Sequence, residues 1–106
     1  MSRPARFSQR ARREIATALR DMEHAAARES LRVALETAAR RLGGNPYLGR
    51  RARSPVPAPY RFWSLTRFGY ILVYDTQADP VEILRFVHTK RDLPRVLAEL
   101  RDLPEP

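Results

Sequence analysis

The 106-residue chain contains no cysteine. Disulfides and thiolate-rich metal sites are thereby excluded, and the composition fits a reducing compartment such as the cytoplasm. Lysine is nearly absent: of twenty basic side chains only Lys90 is not arginine. The longest apolar run, Tyr70 to Tyr74, falls far short of the ~20 residues that span a bilayer, so no membrane contact is expected. No apolar segment follows the N-terminal Met-Ser-Arg-Pro-Ala-Arg, and no secretory signal is expected. Acidic residues are also missing over a long stretch. Between Glu36 and Asp75 there is none, while Arg40, Arg41, Arg50, Arg51, Arg53, Arg61 and Arg67 fall inside it.

What is present supports one domain over residues 1–106, with residues 1–5 and 101–106 expected to fray. A hydrophobic share of 43% is enough for a single core. The net charge of +8 is unevenly spread: residues 1–69 carry fifteen basic and five acidic side chains, residues 70–106 five and seven. Part of the arginine content suits helix surfaces, along which its aliphatic stem lies well. The acid-free basic stretch is more specific, and marks a face for an acidic partner, either nucleic acid or an acidic protein surface.

Along the chain, a short extended entry at Arg3 to Phe7 leads to Ser8, a good N-cap residue. Ala11, Ile15, Ala18, Leu19 and Met22 then recur at helical spacing. After a break near His24 to Ala27, Leu31, Leu35, Ala38 and Leu42 mark a second helix, and Gly43-Gly44 supplies a left-handed stop. His24 is expected to face solvent. Asn45 to Arg50 turns the chain, and Arg51 to Pro59, with three prolines, reads as a surface loop. Tyr60 to Leu65, Tyr70 to Tyr74 and Val81 to Val87 read as strands, with Gly69 at a turn requiring positive φ. Asp92-Leu93-Pro94 opens a short last helix, with Asp92 as its cap and as a partner for Arg91. The expected class is α+β: an N-terminal helical hairpin on one face of a small, mainly antiparallel sheet, a short C-terminal helix, and a second sheet face left partly open.

Order and residues together resemble the RelE/ParE family of type II toxins over roughly residues 6–100. The resemblance is carried by Phe7-Ser8, Asn45-Pro46 with Gly49-Arg50, Arg61, Tyr70-Ile-Leu-Val-Tyr74, and above all Ile83-Leu-Arg85-Phe-Val-His88 followed by Arg91-Asp92. The His-x-x-Arg-Asp ending is more like the ParE branch, which includes toxins of plasmid stabilisation systems. That branch implies a non-enzymatic inhibitor of DNA gyrase that stalls the enzyme on cleaved DNA. The RelE branch would imply a ribosome-dependent mRNA endoribonuclease. Either implies a cognate antitoxin, whose extended, partly helical segment wraps the toxin.

The residues permit a test of the enzymatic alternative. RNA cleavage by a 2′-hydroxyl needs a base, an acid and cations around the phosphorus. His88 is the natural acid or base and Arg85 and Arg61 the natural cations, with Arg67 and Lys90 beside them; Tyr74 and Glu82 are weaker candidates. In a regular strand Val81, Ile83, Arg85 and Val87 share one face, while Glu82, Leu84, Phe86 and His88 share the other. Arg85 and His88 then diverge, which favours a contact rim over a catalytic centre. No catalytic residue, metal or cofactor is therefore assigned. Arg50, Arg51, Arg53, Arg61, Arg67, Arg85, His88, Lys90 and Arg91 are the expected contacts to target or antitoxin. Gyrase is the expected target, nucleic-acid contact is at most indirect, and a basic nucleic-acid-binding module without toxicity is the third possibility. Trp63 is expected to pack on the sheet.

Overall fold

A computed structural model describes residues 3–51, 57 and 59–102. In chain order these form β1 (Arg6–Phe7), α1 (Gln9–Asp21), α2 (Ala25–Gly44), β2 (Arg50–Arg51), β3 (Tyr60–Leu65), β4 (Tyr70–Asp75), β5 (Glu82–His88) and α3 (Leu93–Arg101), with single 3-10 turns at Pro46–Leu48 and Thr66–Phe68. The sheet order is β1-β5-β4-β3-β2. Only the β1–β5 pair is parallel. This is the α+β architecture that the periodicities imply.

Local chemistry explains the helical hairpin. Ser8 caps α1, its hydroxyl accepting from the Ala11 N–H at 3.0 Å, and this kind of cap is worth about 1 kcal/mol. Ala11 and Ala18 on α1 are buried, as are Leu31, Leu35, Ala38, Ala39 and Leu42 on α2. They pack with Leu65, Leu72, Tyr74, Ile83 and Phe86 of the sheet. Burying each leucine contributes about 1.5–3 kcal/mol. On the opposite sheet face, Val96 and Leu100 of α3 close over Phe62, Ile71, Val73 and Val87. The face expected to be partly open is therefore covered at its centre, while Ser64 and Arg50 remain exposed on it.

Several local expectations change. Arg50–Arg51 is a strand rather than a turn and loop, because it pairs with Arg61 and Phe62. The gap between α1 and α2 lies at Met22 to His24, earlier than the spacing suggested, and His24 is exposed at the α2 N-terminus. α2 runs through Gly44 and ends on Asn45 at φ −150°, not on a left-handed glycine. Gly43 is needed for a different reason: a Cβ there would overlap the Arg3 carbonyl oxygen. The N-terminal segment crosses α2 at that point and is not frayed throughout, since Ala5 is buried and donates its N–H to the Ala39 carbonyl at 2.8 Å. At the other end Arg101 belongs to α3, while residues 103–106 lie outside the described residues. The positive φ falls where expected, at Gly69 with φ 75°.

Candidate functional site

β5 carries two of the expected site residues, Arg85 and His88, and a bulge decides which neighbours share their faces. Val73 pairs with Arg85 but Tyr74 pairs with Ile83, leaving Leu84 as an extra residue. Strict alternation is thereby broken. Ile83 and Val81 join the hairpin-side core with Phe86, whereas Val87 packs on the α3 side. The expectation that Val81, Ile83, Arg85 and Val87 share a face is thus corrected. The divergence of Arg85 from His88 stands, because the bulge lies upstream of both.

Arg85 is 6% exposed. Its Nε and Nη2 donate to the Glu14 carboxylate of α1 at 2.9–3.2 Å, and Nη1 donates to Glu99 of α3. Glu14 Oε1 also accepts the Phe86 N–H at 3.0 Å, satisfying an edge amide beyond the short β1. Burial pulls the guanidinium pKa down, but Glu14 and Glu99 outweigh it and the net shift is upward. Arg85 therefore ties α1, β5 and α3 together. Two carboxylates hold it inside, away from the exposed rim expected for it.

His88, half-buried at the end of β5, organises the turn into α3. Its Nδ1 accepts from the N–H groups of Lys90 at 3.3 Å and Arg91 at 3.2 Å. On this geometry the neutral ring carries its proton on Nε2. Thr89 adds a second tie, its N–H and hydroxyl donating to the Gly69 carbonyl at 2.9 and 3.0 Å. Tyr70 meets the His88 ring edge-on and stacks on Phe86. Thr66, Tyr70, His88 and Lys90 are among the residues bounding an open groove of about 540 Å³. Lys90 and Arg91 are exposed, as is Arg67, whose guanidinium lies 5.6 Å from the Phe68 ring centre. Asp92 occupies the N-cap position of α3 without accepting a helix N–H. Its carboxylate lies instead 3.5 Å from Arg91 and 3.6 Å from Arg95.

The second cluster lies across the sheet, on β2 and β3. Fully buried Tyr74 donates its hydroxyl to the Pro46 carbonyl at 2.6 Å and accepts the Gly49 N–H at 2.8 Å. Burial raises the phenol pKa, opposed by the Gly49 hydrogen bond and by Arg61. That hydroxyl explains Gly49 in the Asn-Pro-x-x-Gly-Arg segment, since a Cβ there would overlap it. Tyr74 is consequently structural rather than a catalytic candidate, and Glu82 pairs with Arg6 at the opposite end of β5 from His88.

Arg61 Nη1 donates to the Gly49 carbonyl at 2.9 Å, and the guanidinium lies 5.2 Å from the Tyr47 ring centre. Arg51 stands directly opposite Arg61 across the β2–β3 ladder. Arg50 lies over Phe62 at 5.9 Å, and Arg41 over half-buried Trp63 at 5.1 Å, which seats the tryptophan against the sheet as expected. Arg53 lies outside the described residues. The expected site thus divides into the β2–β3 edge, with Arg51 and Arg61 on its hairpin-side face and Arg50 on the α3-side face, and a rim at the β5 end (Arg67, His88, Lys90, Arg91), with Arg85 in neither. Sequence reasoning gave no role to Arg41 or Tyr47, although their places in the basic stretch and in Asn-Pro-Tyr-Leu were visible. It also gave no role to Glu14, for which there is no local signal.

A family model described as the ParE toxin of the parDE type II toxin–antitoxin system matches residues 5–93. The chain belongs to the ParE toxin family. Membership of a type II toxin–antitoxin system implies an antitoxin as partner. A search of curated proteins finds no significant match. Among the described residues of this ParE-family chain, no cluster of His, Cys, Asp and Glu could hold a metal ion, and no helix is long and apolar enough to cross a membrane.

Proposed function

We propose that this ParE-family chain inhibits DNA gyrase by binding, without a covalent step of its own, and is neutralised in the cytoplasm by a cognate antitoxin as part of a plasmid stabilisation system. The observation that carries the reading is the dispersal of the groups an endoribonuclease would gather. Arg85 is held inward by Glu14 and Glu99. His88 Nδ1 is engaged by two backbone N–H groups. Arg61 and His88 pair with Tyr74 and Tyr70 respectively, about 13 Å apart along β4. Polar groups spread over two faces suit graded contacts better than a concerted proton transfer.

The rim of Arg67, His88, Lys90 and Arg91 is the target contact in this reading, and the antitoxin covers apolar surface on the helical hairpin. An open apolar groove between α1 and α2, lined by Phe7, Ile15, Leu19 and Leu35, supports the second assignment. The test is a supercoiling assay with purified protein and gyrase, in which inhibition is expected and is relieved by antitoxin. Unaffected gyrase together with cleavage of ribosome-bound mRNA would replace the reading with the endoribonuclease one.

A further inference from the structure

Among the described residues, every ion pair uses side chains at or before residue 32 or from residue 79 onward. Arg40, Arg41, Arg50, Arg51, Arg61 and Arg67 fall between those limits and meet no carboxylate there. Two of them oppose each other. Arg51 and Arg61 are direct cross-strand partners, a like-charge arrangement that destabilises a sheet unless something neutralises it. Arg61 is nevertheless held in place by the Gly49 carbonyl and the Tyr47 ring. A guanidinium laid on a ring keeps its N–H edge free for a carboxylate or phosphate.

The backbone narrows the choice of anion. Among the described residues, β2 is the last strand of the sheet. In an antiparallel ladder one of two consecutive residues turns its N–H and C=O outward, away from the paired neighbour. A peptide can complete that ladder and a nucleic acid cannot. The aromatic rings point the same way. Phe62 and Trp63 pack into the two cores on one side and carry Arg50 and Arg41 on the other. Neither of these rings is left open for stacked bases, on which single-stranded nucleic acid binding depends; Tyr47 is the exposed ring at this edge, and Arg61 lies over it.

We propose that the outer edge of β2 accepts an extended acidic segment of a partner protein, which adds to the sheet as a further strand. On such a strand the residue opposite Arg51 lies on the Arg51–Arg61 face, so an acidic side chain there neutralises the opposed pair. An antitoxin is the natural source of the segment, and that attribution alone rests on the toxin reading above. The site itself stands on charge and ladder geometry.

The test uses the full chain and a short synthetic peptide alternating Glu with Val. Binding is read by Trp63 fluorescence and by hydrogen exchange of the β2–β3 amides. The expected result is saturable binding with protection of those amides. N-methylating alternate peptide amides, which keeps the charge and removes the ladder donors, weakens binding about tenfold. Arg51→Thr weakens binding by a similar factor while raising the melting temperature of the free protein by roughly 2 °C, because the opposed charge is gone. A merely structural arginine would not give that opposite pair of effects. Absence of binding overturns the proposal, as does an N-methylated peptide that binds equally well or an unchanged affinity in Arg51→Thr. A thymidine oligonucleotide that binds the same face more tightly than the peptide also overturns it, in favour of nucleic acid. Gyrase inhibition by the same preparation reads the toxin assignment separately, so failure of one leaves the other standing.

Discussion

Arg85 on β5 and Arg61 on β3 are two arginines of one sheet with opposite surroundings. Around Arg85 the chain brings in two carboxylates from two helices and leaves 8% of the side chain exposed. Around Arg61 it brings in a carbonyl, a ring and a second arginine. The first arrangement closes on itself, with every guanidinium nitrogen engaged by a carboxylate. The second holds a charge in place while leaving it unneutralised within the described chain. Charge count along the sequence does not separate these cases; the presence of a counter-charge in the fold does. Arg85 is thus a fastening of the fold, and the Arg51–Arg61 pair is where a counter-charge is missing among the described residues.

The sharpest way to break this contrast is to truncate each arginine. Arg85→Ala strands Glu14 and Glu99 against each other and is expected to cost about 3 kcal/mol, at the low end for a buried network because Glu14 keeps some solvent. Arg61→Ala loses one hydrogen bond and a stack but relieves the Arg51 repulsion, so its net cost should stay within about 1 kcal/mol. Urea unfolding of both variants measures the difference. Equal costs would show that the two sites do not differ in the way described.

Between these sites lies Tyr74, which ties the Gly49 turn to the sheet. Tyr74→Phe leaves the Pro46 carbonyl and the Gly49 N–H without that partner and should cost about 1–3 kcal/mol. The pH dependence follows from the direction of the shift. Burial raises the Tyr74 pKa above its ordinary 10.0, so the folded state holds the proton more tightly than the unfolded chain. Its contribution is complete below pH 10 and is lost as pH rises through the folded-state value. Tyr60 is also raised, by burial and by Asp75. Wild-type stability should therefore fall with rising pH above that point, less steeply in Tyr74→Phe, as measured by denaturation across alkaline buffers.

Much of this molecule was legible in local signals. Ser8, the alanine and leucine spacing of the hairpin, the three long strands and the Gly69 turn each follow from neighbours a few residues apart. What escaped depended on distance. Glu14 meets Arg85 across 71 residues, and no periodicity announces it. The Leu84 bulge is specified by pairing with β4, so parity along β5 alone placed Ile83 on the wrong face. β2 is only two residues long and exists because β3 offers an edge. Gly43 looked like a helix stop, but its role is set by the N-terminal segment crossing it. The charge stretch from Arg40 to Arg67 was readable as an acid-free basic run. Its division from the His88 rim was not, since only the sheet order places them apart.

Gly69 offers a smaller test at the rim. It has φ 75°, and a Cβ would meet nothing within 4 Å. The cost of Gly69→Ala is therefore backbone strain alone, about 1 kcal/mol. Gly49→Ala should cost more, because its Cβ would overlap the Tyr74 hydroxyl. Thermal unfolding of the two variants separates strain from overlap. It also tests whether the rim, which hangs on the Gly69 carbonyl through Thr89, loosens before the β2–β3 edge does.

The smallest expected effect is also the most selective. Opposed exposed guanidiniums repel through solvent, and raising sodium chloride from low to about 1 M shortens the screening length from about 30 to 3 Å. The Arg51–Arg61 pair should then gain a few tenths of a kcal/mol, of the size measured for cross-strand charge pairs. The Arg85 network is shielded by burial and packed against its counter-charges, so salt should leave it nearly unchanged. Hydrogen exchange reads the two places separately. Slower exchange of the β2–β3 ladder amides with salt, and an unaltered rate at the Phe86 amide that Glu14 accepts, is the expected pattern. Equal responses at both would mean that Arg51 and Arg61 already find a counter-charge in the free protein, and the case for an acidic partner on that edge would lose its electrostatic basis.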